Sequence, residues 1–298
     1  MIYLDKFELV DEEAQKSQIQ KIKNSHSKDE RFPIGFFYKK QLKQVDFENI
    51  TIFYGGNGSG KSTLLNIIAE KLNLNRHADT ALTTAFYDYC DLCKIKSKAL
   101  PPSSTMLTSE DVFKAIFHQR AKNIGINEKK AELEDYFDTT SNDFMFEGFE
   151  NSHLVSKKLT KLSYIEKKTE MKERQYSNGE NAIRFFKNEM NKRALYLLDE
   201  PENSLSPKFQ LELKTFLEQC ATDGSQLIIA THSPFILAIK DAKIYSLDDT
   251  PVSVKKWFSL KNMQVYYDFF IKHKELFEAD DDFGSKKVRV KKTTTDAT

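Results

Sequence analysis

The sequence predicts an α/β protein in which a mostly parallel sheet is flanked by helices. Three compact apolar runs are typical of buried strands, and the first of them is rich in β-branched and aromatic residues. They are Ile50–Tyr54, Ala194–Leu198 and Gln226–Thr231. A segment with helical features follows each run, and strands that alternate with helices along a chain form parallel sheets covered by helices.

Shorter patterns predict the remaining elements. Weak alternation over Met1–Val10 and the apolar segment Lys243–Leu247 indicate two further strands. Other helices are predicted at Lys61–Leu72, from Ser177 onward and at Phe235–Ile239. One more helix is expected to begin at Pro207, a residue suited to the first helical position, with Ser206 placed to cap it.

The chain is expected to form one domain over residues 1–278. Its character changes between about residues 80 and 176, where a Pro101–Pro102 break and a highly charged stretch suggest a helical subdomain inserted between the Lys61–Leu72 helix and the helix that begins at Ser177. Residues 279–298 turn from acidic to basic and lack an apolar pattern, so we expect a disordered tail. Five basic residues in this tail are weak support for contact with nucleic acid, although a solvated tail explains them as well.

Charge and hydropathy exclude several classes of protein. The 298 residues carry 45 basic and 44 acidic side chains, so the net charge of +1 creates no general attraction for nucleic acid or an anionic membrane. The first residues are charged where a secretion signal needs an apolar run, and no stretch approaches the ~18 apolar residues of a membrane span. We therefore expect a cytoplasmic protein.

The strongest motif follows the first buried strand directly. Residues 55–62 read GGNGSGKS, which fits the phosphate-binding pattern G-x-x-x-x-G-K-[ST] between a strand and a helix. Glycines let backbone N–H groups wrap a polyphosphate, and the helix N-terminus adds the positive end of its dipole. Lys61 is expected to reach the β- and γ-phosphates and Ser62 to join a Mg²⁺ shell. The predicted nucleotide-binding residues here are Gly55, Asn57, Gly58, Ser59, Gly60, Lys61, Ser62 and Thr63.

Two carboxylates follow the second buried strand. Asp199 and Glu200 end the run LYLLDE, and active sites of open parallel sheets lie at the carboxyl ends of strands. Together with the phosphate-binding loop, this pattern predicts that Asp199 holds Mg²⁺ through water. Glu200 would then act as the general base for the attacking water, or orient that water.

A histidine follows the third buried strand. His232 stands in ATHSP directly after Thr231. A single histidine after a strand is usually structural, but at the end of a strand in a phosphate-binding sheet it is placed to donate a hydrogen bond to a γ-phosphate. We therefore predict that His232 is a catalytic residue that senses the γ-phosphate.

A fourth motif, Ser177-Asn-Gly-Glu180, opens the helix that precedes the Asp199 strand. S-x-x-E is also a capping box, and both interpretations are compatible. A capped helix with Gly179 in its first turn presents N–H groups and a hydroxyl to an anion. The site is expected to act on the phosphate of a second copy of the chain rather than on its own.

The order of these motifs resembles the ABC ATPase superfamily. DEPENSLSP followed by LIIATHSPFILA is more similar to the bacterial AAA family or predicted ATPases, related to the RecF, OLD and SMC ATPases, than to transporter subunits. Transporter subunits usually read LSGGQ and SALD where this chain reads YSNGE and SLSP. The resemblance implies that Ser177 and Gly179 form the signature and that residues 204–207 form the D-loop.

This resemblance implies a Mg²⁺-dependent ATPase that forms a head-to-tail homodimer around two ATP molecules. The first hypothesis for its role is a DNA-linked or defence-related ATPase. The alternatives are the nucleotide-binding subunit of a membrane transporter and an ATP-gated regulator of a separate effector protein. A kinase or GTPase is poorly supported, since it explains neither the signature nor His232.

Several residues are placed less firmly by the sequence. Ser109 and Glu110 are candidates for the Q-loop from position alone. The aromatic residue that stacks on the base is expected among Phe32, Phe36, Phe37 and Tyr38. The pair Cys90 and Cys93 forms a CxxC without a second ligand pair at metal spacing, so a structural role is favoured over zinc or redox chemistry.

Overall fold

The protein, described by a computed structural model, is built from short strands and helices that follow each other along the chain. The structure describes residues 1–15, 32–76, 83–117, 177–203 and 205–278. The strands are β1 Leu4–Glu8, β2 Gln44–Asp46, β3 Ile50–Tyr54, β4 Asn75–Arg76, β5 Lys94–Ser97, β6 Thr105–Thr108, β7 Leu195–Asp199, β8 Gln226–Thr231, β9 Lys243–Ser246 and β10 Ser253–Lys255. The helices are α1 Phe36–Lys39, α2 Lys61–Lys71, α3 Thr84–Leu92, α4 Asn178–Glu189, α5 Pro207–Thr222, α6 Pro234–Leu237, α7 Lys261–Lys272 and α8 Lys274–Glu278, with a 3₁₀ turn at Trp257–Ser259.

A mostly parallel sheet lies at the centre, as predicted. Within the described part of the chain it has seven strands in the order β10-β9-β3-β8-β7-β6-β4. Each neighbouring pair is parallel except β9 with β10. Every residue of β3 and β8 is buried, as expected for strands covered on both faces.

The expectation of a helical region from about residue 80 is wrong for part of the segment that the structure describes. Residues 83–117 include α3, but also β5 and β6. Strand β6 pairs with β7 in the central sheet, and β5 joins β1 and β2 in a separate antiparallel sheet. Helical structure resumes over residues 109–117. The charged stretch 129–174 and the tail 279–298 lie outside the described residues.

Two predicted details at helix starts have different outcomes. Pro207 occupies the first turn of α5, as expected, and Ser206 stands at the N-cap position. The Ser206 side chain, however, makes no capping hydrogen bond, so the predicted cap is wrong in its chemistry. Ser177, in contrast, forms a complete capping box with Glu180 at the start of α4.

The core of the first compact unit packs both sheets against helices. This unit covers residues 1–257, and a second unit begins at Phe258. Side chains that are fully enclosed come from β1, β3, α2 and α3, for example Phe7, Phe53, Leu65 and Tyr89. One domain over residues 1–278 therefore stays a prediction.

The second unit, as far as the structure describes it, consists of α7 and α8. Its helix α7 exposes several aromatic side chains, including Tyr267, Phe269 and Phe270. Among the described residues, no helix combines the length and the hydropathy needed to cross a membrane.

Gln226, at the start of β8, connects the antiparallel sheet to the central sheet. Its side chain is fully buried, and its Oε1 accepts hydrogen bonds from the backbone N–H groups of Tyr3 and Leu4, both at 2.8 Å. Its Nε2 donates to the carbonyl oxygens of Leu4 and Glu48 at 2.8 and 3.1 Å. One amide thus satisfies four backbone groups that the two sheets would otherwise leave unpaired.

We expect Gln226→Leu to lower the free energy of unfolding by about 2–5 kcal/mol, because buried backbone groups lose their partners. Gln219→Leu is the matched control, since Gln219 is exposed on α5, and we expect a change within about 0.5 kcal/mol. Urea unfolding followed by circular dichroism measures both. Equal stability of Gln226→Leu and wild type would show that the two sheets do not depend on this amide.

Candidate active site

The predicted site residues meet at one edge of the central sheet. Strands β3, β8 and β7 are adjacent and parallel, with Tyr54 opposite Thr231 and Asp199 opposite Ala230. The segments that follow these strands therefore leave the sheet side by side. The phosphate-binding loop, the carboxylate pair and His232 come from three different parts of the chain and reach the same edge.

Glycines shape the phosphate-binding loop for steric reasons. Gly60 has a φ of 99° and stands at the N-cap of α2. A Cβ at Gly60 would lie 2.4 Å from Cε1 of Phe36, and a Cβ at Gly55 would lie 2.5 Å from Oγ of Ser59. The loop accepts no side chain at either position. Asn57 and Gly58, at the tip of the loop, are exposed.

Lys61 turns back onto the loop and its ammonium group is almost enclosed. Its Nζ donates to the carbonyl oxygens of Gly55 at 2.8 Å and Gly56 at 3.3 Å. It also lies 3.5 Å from Oε1 of Glu200. Only 5% of the side chain is exposed, so these oxygens replace most of its hydration. A polyphosphate in the loop would offer the same ammonium group stronger, anionic acceptors.

Ser62 and Asp199 form a pair of oxygen donors suited to Mg²⁺. The Ser62 hydroxyl donates to Oδ1 of Asp199 at 3.0 Å. Burial, against the opposing effect of the Ser62 hydrogen bond, raises the pKa of Asp199 from 3.8 to about 6. A desolvated carboxylate beside a hydroxyl favours a bound cation, and Mg²⁺ commonly takes one or two protein oxygens together with phosphates and water. The residues present therefore fit the ion.

Glu200 lies in a tight turn that directs its carboxylate into the site. Its φ of 47° falls in the left-handed region, which is uncommon for a residue with a side chain and concentrates at functional sites. Nδ2 of Asn203 donates to Oε2 of Glu200 at 2.9 Å. The other oxygen, Oε1, faces Lys61 and lies 3.7 Å from Nδ1 of His232. One oxygen is thus held, and the other points toward cationic or polar groups.

His232 combines an exposed ring with a fixed backbone. Its side chain is 44% exposed, which leaves the imidazole accessible to a ligand. Its backbone N–H donates to Oε1 of Glu202 at 3.1 Å. The structure therefore brings His232 to the same group of side chains as Lys61 and Glu200, and its catalytic role stays a prediction.

The predicted signature residues lie at the start of α4. The Ser177 hydroxyl accepts from the Glu180 N–H at 3.3 Å, and Oε2 of Glu180 accepts from the Ser177 N–H at 2.7 Å. Gly179 is buried, and a Cβ there would lie 2.2 Å from the Phe209 ring. Packing against Phe209 is thus a sufficient structural reason for this glycine. A role for Ser177 and Gly179 in nucleotide binding stays a prediction.

Two further side chains at this edge were missed by sequence reasoning. The Asp248 carboxylate accepts the Gly56 N–H at 3.0 and 3.2 Å and so supports the phosphate-binding loop from beyond β9. Asn203, which holds Glu200, also donates to Oγ of Ser109 at 3.4 Å. The run DEPEN, which includes the carboxylate pair, could have indicated Asn203 as a site residue. No local pattern indicates Asp248, because its partner Gly56 is 192 residues away in the sequence.

The structure distinguishes among the candidates for the Q-loop residue and for the aromatic residue that stacks on the base. Ser109 follows β6, whose Thr108 is opposite Asp199, so Ser109 lies at the active edge, while Glu110 is exposed. Among the aromatic candidates, Phe36 covers Gly60 and contacts Phe32 edge-on at a centroid distance of 5.7 Å. Phe37 is fully buried in the core and is not available to a base.

The cysteines have the properties of core residues. Cys90 and Cys93 are free thiols with 2% exposure each, and burial raises the pKa of both to about 12. Cys220 is likewise a free, buried thiol on α5. Among the described residues, no group of three or more histidine, cysteine or acidic residues is arranged to hold a metal ion. Thiols of this kind are inert structural groups.

Two family models match the chain. The model described as ABC transporter matches residues 42–203, and a model of an AAA domain, whose description also names the AbiEii toxin and the Type IV TA system, matches residues 185–238. No curated protein matches the chain. The first model spans the phosphate-binding loop and the carboxylate pair, and the second spans the carboxylate pair and His232.

Solved structures give more distant likenesses. A metal-chelate type ABC transporter in an inward-facing conformation is 15% identical, with 74% of this chain and 78% of that chain covered, at a TM-score of 0.37. The Smc head domain from Pyrococcus furiosus, bound to the C-terminal domain of ScpA, is 14% identical, with 90% of this chain and 100% of that chain covered, at a TM-score of 0.39. The transporter subunit cbiO1 from Clostridium perfringens is 15% identical, with 79% of this chain and 89% of that chain covered, at a TM-score of 0.37. At these values the likenesses carry no argument about activity.

We expect Asp199→Asn to stabilise the nucleotide-free, Mg²⁺-free protein by about 1–3 kcal/mol near pH 8. The folded-state pKa of about 6 lies above the unfolded value of 3.8, so the ionised carboxylate costs stability above pH ~6. This cost fades as the pH falls from about 6 to below about 4, because the protonated form is then present in both states.

Urea unfolding of wild type and variant at about pH 8, above this window, and at about pH 4.5, near its lower end, tests the expectation. The exposed Asp88→Asn is the control for a change of one charge. A variant that is less stable than wild type at the higher pH, or a difference that does not shrink at the lower pH, would contradict the burial of this charge.

Proposed function

Because the chain belongs to the ABC transporter family of ATPases, whose model matches more than half of its length, we propose that it binds MgATP between two copies of itself and hydrolyses it. We further propose a role other than transport, since residues 177–180 and 204–207 depart from the transporter patterns. The chain is an ATPase with a nucleotide-binding site. The observation that supports the site assignment is the convergence of Lys61, Glu200 and His232 at the ends of three adjacent parallel strands.

Phosphate binding falls to the loop and to Lys61. The backbone N–H groups from Gly58 to Thr63 line the start of α2, where the helix dipole favours an anion. Lys61 leaves its carbonyl partners for the β- and γ-phosphates. A Mg²⁺ ion held by Ser62 and Asp199 would neutralise charge on the same phosphates.

Glu200 acts on the attacking water. Because Asn203 occupies Oε2 of Glu200, Oε1 is the oxygen left to accept a hydrogen bond from water. This oxygen already lies near Lys61 and His232, the two groups that contact the γ-phosphate in our proposal. Glu200 thus orients the water and accepts its proton, while His232 donates to the γ-phosphate.

The second copy supplies the signature residues. Ser177 and Asn178 are exposed at the start of α4, a helix of 12 residues, so an anion from outside the chain has access to this helix end. A two-fold arrangement places this end of one subunit over the γ-phosphate of the other and creates two equal sites.

For the biological role we favour a DNA-linked or defence-related ATPase. Residues 177–180 and 204–207 depart from the transporter patterns, and residues 185–238 match an AAA domain family whose description names a toxin and a TA system. An ATP-gated regulator of a separate effector protein is compatible with the same match. One observation favours the alternative role as the nucleotide-binding subunit of a transporter: the family model that matches residues 42–203 is described as ABC transporter.

We expect Glu200→Gln to reduce kcat for ATP hydrolysis by at least about 100-fold and to retain ATP binding, since the amide neither accepts the proton nor changes the shape of the turn. Steady-state hydrolysis and titration with a fluorescent ATP analogue measure the two effects. Glu212→Gln, an exposed change on α5, is the matched control. Hydrolysis at the wild-type rate in Glu200→Gln would remove Glu200 as the catalytic base.

Duplex and single-stranded DNA distinguish the roles in the same assay. Stimulation of wild type but not of Glu200→Gln supports the DNA-linked role. Hydrolysis that depends on Glu200 and ignores both forms of DNA contradicts it and favours a protein partner.

We expect two inactive variants to restore each other when mixed. Lys61→Ala removes phosphate binding and Ser177→Arg blocks the exposed helix end, so each homodimer lacks activity. A mixed dimer contains one site with an intact loop and an intact partner signature, which predicts about a quarter of wild-type activity at equal concentrations. No recovery over a range of mixing ratios, with both proteins folded, would contradict a site shared between subunits.

A further inference from the structure

Glu202 lies two residues after Glu200 but faces the interior. Only 4% of it is exposed, whereas the Glu200 side chain is 24% exposed toward the site. Oε1 of Glu202 accepts three hydrogen bonds from consecutive residues. The donors are Oγ1 of Thr231 at 2.5 Å, the N–H of His232 at 3.1 Å and the N–H of Ser233 at 3.2 Å.

These bonds fix the path of the chain at the end of β8. Thr231 is the last residue of the strand, and Ser233 caps α6 by accepting from the N–H groups of Phe235 and Ile236. His232 stands between these two anchored residues and has no regular structure of its own. Its backbone direction, and hence the origin of its side chain, is held by Oε1 of Glu202 together with the bond from the Ser233 N–H to Oγ1 of Thr231 at 3.0 Å.

The same carboxyl group connects two chemical parts of the site. Residues 200–203 form one turn, closed by a bond from the Asn203 N–H to the Glu200 carbonyl. This turn holds Glu200 outward, and Glu202 inward against the His232 backbone. The separation of 3.7 Å between Oε1 of Glu200 and Nδ1 of His232 follows from this double attachment.

The connection continues to the segment before α5. The Ser233 hydroxyl donates to Oε1 of Gln210 at 2.7 Å, and Nε2 of Gln210 donates to the Leu205 carbonyl at 2.8 Å. The N–H of Leu205 in turn donates to the Glu202 carbonyl at 3.0 Å. A closed ring of hydrogen bonds thus joins the turn after β7, the His232 segment and the start of α5.

We propose that Glu202 is a positioning residue that sets the His232 imidazole relative to Glu200 and the γ-phosphate. The inference rests on the proposed function, in which His232 contacts that phosphate. Glu202 touches no substrate; it acts through the backbone of residues 231–233. Oε2 of Glu202 is buried and has no hydrogen-bond partner among the described residues, so the carboxyl group contributes through Oε1 alone.

Kinetics of single and double variants test this role. Glu202→Ala is expected to lower kcat for ATP about 10- to 100-fold, the scale on which a displacement of about 1 Å affects a catalytic group, with KM within about twofold because the phosphate-binding loop is untouched. Glu202→Gln is expected to restore kcat to within about fivefold of wild type, since an amide oxygen accepts the same three bonds. Glu212→Ala, an exposed change, is the control.

The decisive measurement is a double-variant cycle with His232→Ala. If Glu202 acts through the imidazole, Glu202→Ala adds no further loss of kcat once the imidazole is absent. Losses that multiply, an unchanged kcat in Glu202→Ala, or a slow Glu202→Ala beside a fully active His232→Ala would each overturn the proposal.

Stability and the proposed function are controlled separately. Thermal unfolding and binding of a fluorescent ATP analogue establish that each variant is folded. If Glu202→Ala does not fold, Thr231→Val takes its place in the cycle. It keeps the side-chain shape and removes the hydroxyl that donates to Glu202 and accepts from the Ser233 N–H. Multiplicative losses there overturn the proposal equally. Undiminished hydrolysis in Glu200→Gln would overturn the catalytic role proposed for Glu200, whereas the cycle addresses Glu202 alone.

Discussion

The parallel pairing of β3, β8 and β7 is the constraint on which the site depends. Both faces of β3 and β8 are buried, so these strands offer polar groups only where they end. The register that sets Asp199 opposite Ala230, and Tyr54 opposite Thr231, aligns three strand ends within one layer. A slip by one residue would turn the apolar side chains of a strand to the opposite face, so the packing of the core also enforces the position of the active groups.

The charges at this edge are arranged to suit an anionic ligand together with a cation. The Lys61 ammonium group has loop carbonyl oxygens and Oε1 of Glu200 as its partners, and burial raises the pKa of Asp199 to about 6 because it disfavours the charged form. The charge of Asp199 is therefore held at a cost that a cation would relieve, and a polyphosphate would offer Lys61 further anionic acceptors. A core built only for stability would avoid such groups, which is why their presence at one strand end is informative about function.

How much the sequence predicts depends on whether a feature is local. The strands β3, β7 and β8 and the loop before α2 were predictable, because apolar runs and glycine spacing are encoded in consecutive residues. Strand β6 was not, since Thr105–Thr108 is short and lies in a region of mixed polarity. The contacts of Gln226, Glu202 and Asp248 join residues 29 to 223 positions apart, and pairings of that kind leave no pattern in a single sequence.

The start of α4 shows why a sequence motif is weaker evidence for function than the geometry of a site. Ser177 and Glu180 satisfy each other in a capping box, and Gly179 is required by the Phe209 ring, so stability alone explains all three residues. The turn at residues 200–203 differs, because stability does not explain an outward Glu200 in a left-handed conformation beside Lys61 and His232. The chemistry of the site therefore rests on that turn. The proposed contact of α4 with nucleotide depends on a second subunit. The γ-phosphate of ATP bound to that subunit would be a ligand for the exposed start of α4, which the capping box alone does not require.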